Sequence, residues 1–199
     1  MSKLEAAYKL FDDYNRQDPR NFKWLSTDYP QEYFFAIELY NWVIKLNPEA
    51  GEELLLASRS QHIGRWEIPR DAYPDGREPY LKWRKDLALH HAAITQDLLQ
   101  QVGYNAEQIE RITQIILKKR IKADADVQIM ENALCLVFLE FQYEAFLTKH
   151  ELDPDKIINI LYKSLLKMDA NGHQFALKLS YTNEGFELIK KALEKMHQL

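Results

Sequence analysis

The amino-acid sequence predicts a nearly all-helical protein. Its 199 residues include only six glycines and seven prolines, and most of these separate segments that have helical periodicity. No segment with strand periodicity is long enough for a sheet, and there is no low-complexity tract and no repeat. With 46% apolar residues, a chain of this length can bury one sizeable core. We therefore expect a single globular helical domain over residues 1–199.

Three helices and a loop are predicted in the N-terminal half. Ser2 and Glu5 have the spacing of a capping box, which would start the first helix. Pro48 suits the first turn of the third helix, and Pro69 prevents that helix from continuing. The predicted helices cover residues 2–16, 30–46 and 48–66, and the loop covers residues 67–78.

Five more helices are predicted in the C-terminal half. Gly103 is placed to end the fourth helix in a left-handed cap. Asn105 and Gln108 have the spacing of a capping box for the fifth helix, which should end near Lys119. The sixth is apolar almost all round over residues 133–139, so we expect it to be central. A break at Asn171–Gly172 ends the seventh. These helices should begin at about residues 79, 105, 124 or 126, 154 and 183, and the last should reach the C-terminus.

Charge and cysteine usage narrow the class of protein. A net charge of −4 argues against a strongly basic nucleic-acid binder. The lone Cys135 lies in an apolar run and cannot form an internal disulfide, which favours a reducing compartment. The N-terminus has no charged-then-apolar leader, and no apolar run approaches the roughly 20 residues that span a bilayer. We therefore expect a cytoplasmic protein without a membrane span, and its oligomeric state is left open.

Cationic charge is concentrated between residues 59 and 84. This segment holds six basic side chains against four acidic ones. Within it, Arg65 and Arg70 alternate with Trp66 and Tyr73. A guanidinium group donates two parallel hydrogen bonds to phosphate, and aromatic rings offer stacking surface for a base or sugar. The pattern predicts a site for a small anionic or phosphorylated ligand, with RNA as an alternative ligand. The competing interpretation is a loop whose own acidic side chains neutralise its arginines.

Two further cations extend this prediction. Arg84 closes the basic segment, and Lys119 lies near the predicted end of the fifth helix. Either side chain could help to hold phosphate. For Lys119 the simpler interpretation is that its charge complements the helix dipole.

Helical geometry separates the histidines. His90 and His91 point about 100° apart on the fourth helix, and His91 shares a stripe with Leu87 and Ile94, so it should face inward. His62 should share a stripe of the third helix with Arg59, Arg65 and Trp66, where an imidazole and two guanidinium groups would converge.

A buried carboxylate completes a candidate metal site. Glu131 lies at the mouth of the apolar sixth helix, where burial is costly unless a cation or strong hydrogen bonds compensate it. Imidazole and carboxylate groups suit divalent Mn, Fe, Co or Zn. We therefore expect a divalent metal ion at His62, His91 and Glu131. The alternative is that the two histidines are hydrogen-bonded core residues.

Several sequence blocks together resemble an uncharacterised family catalogued as domain of unknown function 4202, and the likeness covers nearly the whole chain. The family has no settled activity to transfer. The blocks are Ser60-Gln61-His62-Ile63-Gly64-Arg65-Trp66-Glu67-Ile68-Pro69-Arg70, Tyr73-Pro74, Arg77, Tyr80-Leu81-Lys82-Trp83-Arg84, His91-Ala92, Gly103-Tyr104, Lys118-Lys119, Glu131, Cys135-Leu136-Val137-Phe138-Leu139-Glu140 and Lys167-Met168.

A more distant likeness implies chemistry. The order His62, then His91 about 30 residues on, then Glu131 about 40 further, resembles the metal-binding pattern of the HD superfamily, whose members are helical and include many metal-dependent phosphohydrolases. The resemblance implies an HD-domain-like fold in which both histidines are ligands and Glu131 replaces the usual final Asp. Ala92 stands where the signature Asp belongs, and Asn132 stands where the first family is expected to show Asp. The loss of the signature carboxylate argues against a two-metal centre.

We therefore expect an HD-like, metal-dependent phosphohydrolase that acts on a small phosphorylated metabolite or nucleotide. In this hypothesis Arg65 and Arg70 hold phosphate. The alternative is a non-catalytic helical module that binds an anionic ligand or RNA through residues 59–84.

Overall fold

The computed structural model describes residues 1–150 and 153–197, and within them the chain is mostly helical, as the sequence predicts. No helix in this part of the chain combines the length and apolarity needed to cross a membrane. The elements are α1 Lys3–Asn15, β1 Asn21–Trp24, β2 Thr27–Pro30, α2 Gln31–Leu46, α3 Glu52–Ser60, α4 Arg77–Gln101, α5 Ala106–Ile116, α6 Ala125–Phe141, α7 Tyr143–His150, α8 Pro154–Leu165, α9 Ala170–Ala176 and α10 Asn183–His197. Short 3-10 turns cover Arg65–Glu67 and Arg70–Ala72.

Contacts divide the chain into two compact units, residues 1–120 and residues 121–199. The first unit contains α1 to α5 and the two strands, and the second contains α6 to α10. The single domain over residues 1–199 stays a prediction.

The first unit is built around α3, which packs against α1, α2 and α5. Its core includes Leu54 and Leu56 of α3 and Ile112 of α5, all fully buried. The predicted capping boxes are present at both helix starts: Ser2 accepts from the Glu5 amide, and Asn105 accepts from the Gln108 amide. Local hydrogen bonds therefore set these boundaries, as expected from the sequence.

The prediction of no sheet is wrong over residues 21–30, where β1 and β2 form an antiparallel hairpin. Its turn residues Leu25 and Ser26 both have positive φ, 45° and 72°, as a type I′ hairpin turn requires. Each strand has only four residues, too few for a clear periodic signal. The hairpin is held from outside, because the Phe22 ring lies 4.8 Å from the rings of both Phe34 and Phe35 on α2.

The predicted third helix ends too late. α3 stops at Ser60, whose hydroxyl donates to the Leu56 carbonyl, and Gly64 then takes a left-handed conformation with φ of 69°. The stripe that was to join His62 with Arg59 and Arg65 therefore does not exist. Instead Arg59 donates two 2.8 Å hydrogen bonds to the carboxylate of Asp12 on α1. The fifth helix also ends earlier than predicted, at Ile116 rather than near Lys119.

In the second unit α8 packs against α10, and α6 packs against α7 and α9. α6 buries Met130 and Leu136 completely, in agreement with its apolar sequence. The predicted break at Asn171–Gly172 is wrong, because α9 runs through both residues and Asp169 caps it by accepting from the Gly172 amide. The chain instead turns after α8, and the short α7 was not predicted. The last helix begins at Asn183 as expected, while residues 198–199 lie outside the described part.

Candidate ligand-binding site

A cavity of about 570 Å3 in the first unit brings together arginine and aromatic side chains. Four of the six side chains predicted to bind a phosphorylated ligand line it. The complete lining consists of Arg20, Arg65, Trp66, Ile68, Pro69, Arg70, Asp71, Tyr73, Asp75 and Trp83. A cavity of this size suits a small-molecule ligand.

Gly64 sets the direction of the segment that carries Arg65 and Trp66. A Cβ atom at this glycine would lie 2.5 Å from the Ile94 side chain, and the backbone φ is positive. Only glycine meets both conditions without strain. The chain can therefore turn tightly after α3 and present Arg65 to the cavity.

Arg65 lies over an aromatic wall. Its guanidinium carbon is 5.4 Å from the ring centroid of Trp83, within cation–π range. The Trp83 indole is itself fixed, because its Nε1 donates a 2.9 Å hydrogen bond to the Ile68 carbonyl. The Arg65 side chain remains one-third exposed, so its remaining donors can reach a ligand.

Arg20 is the second cation of the cavity, and two buried carboxylates hold it. Its Nε and terminal nitrogen each donate a 2.9 Å hydrogen bond to Asp18, and the terminal nitrogen also lies 2.8 Å from Glu32 Oε1. The same Glu32 oxygen is 3.8 Å from Arg65 Nε. Glu32 therefore links the two arginines from behind.

The two carboxylates differ electrostatically. Burial alone would raise the pKa of Asp18, but hydrogen bonds from Arg20 and from the Glu32 amide bring it below its ordinary value. For Glu32, burial raises the pKa above its ordinary value, although Arg65 and Arg20 oppose this. Asp18 is thus a fixed negative charge, whereas ionisation of Glu32 is costly.

Arg70 and Tyr73 shape the rim of the cavity. The Arg70 guanidinium donates to the carbonyls of Tyr73 at 2.8 Å and Pro74 at 3.1 Å, and it lies 4.0 Å from Asp75. The Tyr73 hydroxyl donates to Asp86 at 2.9 Å. The loop therefore uses much of Arg70 for its own structure, as Asp18 and Glu32 use much of Arg20, and Arg65 is the cation better placed for a ligand.

His62 and His91 come together in the first unit, with ring centroids 5.7 Å apart. His91 is 2% exposed, and its Nδ1 lies 2.6 Å from the Ile63 carbonyl oxygen. Because a carbonyl only accepts, Nδ1 carries the proton and Nε2 presents a lone pair. That Nε2 is buried and has no hydrogen-bond partner among the described residues.

Both imidazoles are neutral near pH 7. Burial lowers the pKa of His91 to about 3. The pKa of His62 is also well below its ordinary value, because of burial and because Arg65 and other cations lie nearby. A neutral imidazole whose second nitrogen donates to a backbone carbonyl is the usual form of a histidine metal ligand. His91 has this form, and the neutral His62 ring lies beside it.

Glu131, the third expected ligand, belongs to the second unit. It is 2% exposed, and Lys167 Nζ lies 3.4 Å from its Oε1. Lys167 is therefore one cationic partner of this buried carboxylate. Within residues 1–150 and 153–197, no three His, Cys, Asp or Glu side chains are grouped closely enough to hold a metal ion together.

The two remaining predicted phosphate ligands lie outside the cavity lining. Arg84 is exposed, with its guanidinium carbon 6.0 Å from the Tyr80 ring centroid. Lys119 is exposed in the turn after α5. Arg84 still acts on His62, since it contributes to the lowered pKa of that imidazole.

Three residues at the cavity were not predicted from the sequence: Arg20, Asp18 and Glu32. Arg20 lies outside the basic segment, so the charge count did not include it. A signal for Glu32 was present, since it shares the buried stripe of α2 with Phe35 and Leu39, where a carboxylate is unexpected.

Comparison with known proteins identifies a family but no activity. No curated protein and no solved structure matches the chain. The model of the family described as Domain of unknown function (DUF4202) matches residues 5–189. This range includes the cavity, the histidine pair and both units up to α10. The chain therefore belongs to the DUF4202 family.

Proposed function

We propose that this protein binds a small phosphorylated metabolite or nucleotide in the arginine cavity of its first unit. The observation that carries the proposal is the convergence of Arg20 and Arg65 on one cavity walled by Trp66 and Trp83. Guanidinium forks match the geometry of phosphate oxygens. Indole rings add stacking surface for a base or sugar ring.

The cavity favours a small ligand over a long nucleic acid. Its volume of about 570 Å3 is in the range of small-molecule sites, and the net charge of −4 gives little general attraction to a polyanion. Two acidic side chains, Asp71 and Asp75, also line the cavity, and they would repel further phosphates along a strand. RNA binding through residues 59–84 remains the alternative.

Direct binding measurements test this proposal. Calorimetric titration with inorganic phosphate, a sugar phosphate and a nucleoside monophosphate should detect binding to the wild-type protein. Arg65→Met should weaken it roughly 10- to 100-fold, because a charge-assisted hydrogen bond contributes about 1.5–3 kcal/mol. Arg65→Lys should be intermediate, because lysine keeps the charge but not the fork.

Arg77→Met is the matched control, since Arg77 is exposed at the start of α4 and outside the cavity lining. Its binding should stay within about twofold of wild type. Equal losses in both arginine variants, or binding of single-stranded RNA alone, would contradict the proposal.

The catalytic form of the proposal is an HD-like, metal-dependent phosphohydrolase. Its support is the neutral pair His62 and His91, with the Nε2 lone pair of His91 buried beside the cation-rich segment. Glu131 belongs to the second unit, so this form rests on the two histidines. A divalent ion held there would supply Lewis-acid activation of water, while Arg65 and Arg20 would orient the phosphoryl group and offset its charge.

Turnover tests separate the catalytic form from binding alone. Phosphate release is measured with the same ligands and added Mn, Co, Fe or Zn, together with metal content. His62→Asn should abolish turnover and lower metal content while ligand affinity stays within a few-fold. His150→Asn, which changes a histidine near the end of α7, should behave as wild type. Ligand binding without turnover under any metal would leave a non-catalytic binding protein.

A further inference from the structure

Glu32 lies directly behind the two arginines of the cavity. Its side chain is 2% exposed, and its Oε1 contacts Arg20 at 2.8 Å and Arg65 at 3.8 Å. Its Oε2 is buried and has no hydrogen-bond partner in the part of the chain that the structure describes. One oxygen is therefore paired with cations, while the other is deprived of the hydrogen bonds that a carboxylate normally accepts.

Burial raises the pKa of Glu32, and four neighbouring side chains also act on it. They are Arg65 of the 3-10 turn, Arg20 and Asp18 of the segment after α1, and Gln31 at the start of α2. The arginines favour the carboxylate form, and Asp18 disfavours it. Since Asp18 accepts from Arg20 and from the Glu32 amide at 3.0 Å, its negative charge is well compensated, and Glu32 is the group whose charge can change.

An incoming anion would disturb this balance. Before binding, the two carboxylates offset the charges of Arg20 and Arg65, so this cluster is neutral. A phosphate or sulfate ion at the arginines would add negative charge next to Glu32 and compete for its cationic partners. Buried unpaired charge is costly, and the usual response of a carboxylate is to take up a proton.

We propose that anion binding at Arg20 and Arg65 is coupled to protonation of Glu32, so that the cavity takes up the anion with about one proton. The proton comes from the solvent and binds to a carboxylate oxygen of Glu32. The protonated Glu32 side chain stays behind the arginines. Because it is then uncharged, it no longer repels the bound anion. This inference rests on the proposed function, since it needs an anion against these arginines.

Calorimetry with inorganic sulfate as the probe tests the coupling. Sulfate keeps a constant charge between pH 5.5 and 8, whereas phosphate itself titrates there, with a second pKa near 6 in phosphate esters. Titrations at pH 6.5 in buffers of different ionisation enthalpy count the protons taken up. The wild-type protein should take up about one proton per sulfate, and its affinity should fall up to about tenfold per pH unit as pH rises.

Glu32→Gln is the decisive variant. It keeps the size of the side chain and removes the titrating group, so proton uptake should fall close to zero while sulfate affinity stays equal or increases. A residue needed only to hold the arginines in place would instead show weaker binding with unchanged uptake. Glu49→Gln, an exposed position after α2, should keep the wild-type uptake.

The outcomes distinguish the inference from the proposed function. Sulfate binding without proton uptake, or full uptake in Glu32→Gln, overturns the coupling and leaves the binding site intact. Absence of sulfate and phosphate binding in the wild type overturns both. If circular dichroism shows that Glu32→Gln is unfolded, Glu32→Asp replaces it. The shorter carboxylate should move the pH of half-maximal uptake, and an unchanged midpoint contradicts the coupling.

Discussion

Two buried polar clusters, one in each unit, differ in how their hydrogen-bonding groups are satisfied. In the second unit, the Asn132 side-chain oxygen accepts from Gln128 at 3.1 Å and from the Asp169 amide at 3.1 Å, and its nitrogen donates to Asp169 Oδ1 at 2.8 Å. In the first unit, Glu32 Oε2 and His91 Nε2 have no hydrogen-bond partner among the described residues.

The difference distinguishes buried polar groups that stabilise the fold from buried polar groups that serve a ligand site. A buried network in which every group is paired stabilises one arrangement of helices. A buried group left without a partner costs free energy, and such groups are concentrated at functional sites. We therefore expect substitutions in the Asn132 network to affect stability alone, and substitutions around the cavity to affect ligand binding as well.

The largest expected effect is at Asn132. Asn132→Ala should lower the free energy of unfolding by about 3 kcal/mol, because it removes three hydrogen bonds that Asn132 makes with Gln128 and Asp169. Urea denaturation measures the change. Asn159→Ala on the exposed face of α8 is the control and should cost less than about 0.5 kcal/mol. A similar small loss in both variants would mean that the Asn132 network does not stabilise the unit.

Acid should destabilise the protein through His91. Its pKa is about 3 when folded and near 6.5 when unfolded, so between these values the unfolded state binds more protons. Stability should therefore fall as pH decreases from 6.5, by about 2.5 kcal/mol at pH 4.5. His62, also lowered in pKa, acts in the same direction.

Denaturation curves of His91→Gln measured across this pH range isolate the contribution of His91. The variant should lose less stability than wild type between pH 6.5 and 4.5, whereas His150→Gln should follow wild type. Parallel curves for wild type and His91→Gln would show that His91 does not remain neutral in the folded state.

Gly64→Ala should lower the free energy of unfolding by about 2 kcal/mol, because alanine is strained at positive φ and its Cβ would crowd Ile94. Affinity for phosphate should also fall, since Arg65 follows directly. Gly51→Ala is the matched control: its φ is −66°, and the nearest atom to the new Cβ is 3.7 Å away. A loss of stability without weaker ligand binding would contradict the proposed distinction between the Asn132 network and the cavity.

Trp83→Phe should give the smallest change, about 1 kcal/mol of stability, through loss of the hydrogen bond to the Ile68 carbonyl. The remaining ring can still pack beneath Arg65, so phosphate affinity should change only a few-fold. Chemical denaturation and calorimetry measure both quantities. A much larger loss of phosphate affinity would mean that the Trp83 indole N–H is needed to position the cavity wall.

Features determined by neighbouring residues could be predicted from the sequence. The capping boxes at Ser2 and Asn105 are present because their partners lie three residues away. The inward orientation of His91 follows from helical geometry and is confirmed by its burial. The cavity lining contains Arg65, Trp66, Arg70 and Tyr73, which lie within nine consecutive residues of the sequence.

Features that depend on distant partners could not be predicted. The hairpin exists because aromatic side chains of α2 cover it, which its own eight paired residues do not reveal. Arg20 joins the cavity because Glu32, 12 residues away, holds it. His62 meets His91 through a turn rather than through the expected helical stripe. For Glu131, a buried carboxylate was predicted, but the sequence did not identify Lys167 as its partner.

The turn of the hairpin has a practical consequence. Leu25 is 83% exposed and has positive φ, a conformation in which the Cβ atom of most residues is strained, whereas Asn-Gly adopts it readily. Replacing Leu25 and Ser26 by Asn-Gly would relieve conformational cost and remove an apolar side chain from solvent contact. This hairpin turn is therefore a convenient place to engineer a more stable and more soluble variant for crystallisation. It is distant in sequence from the histidines.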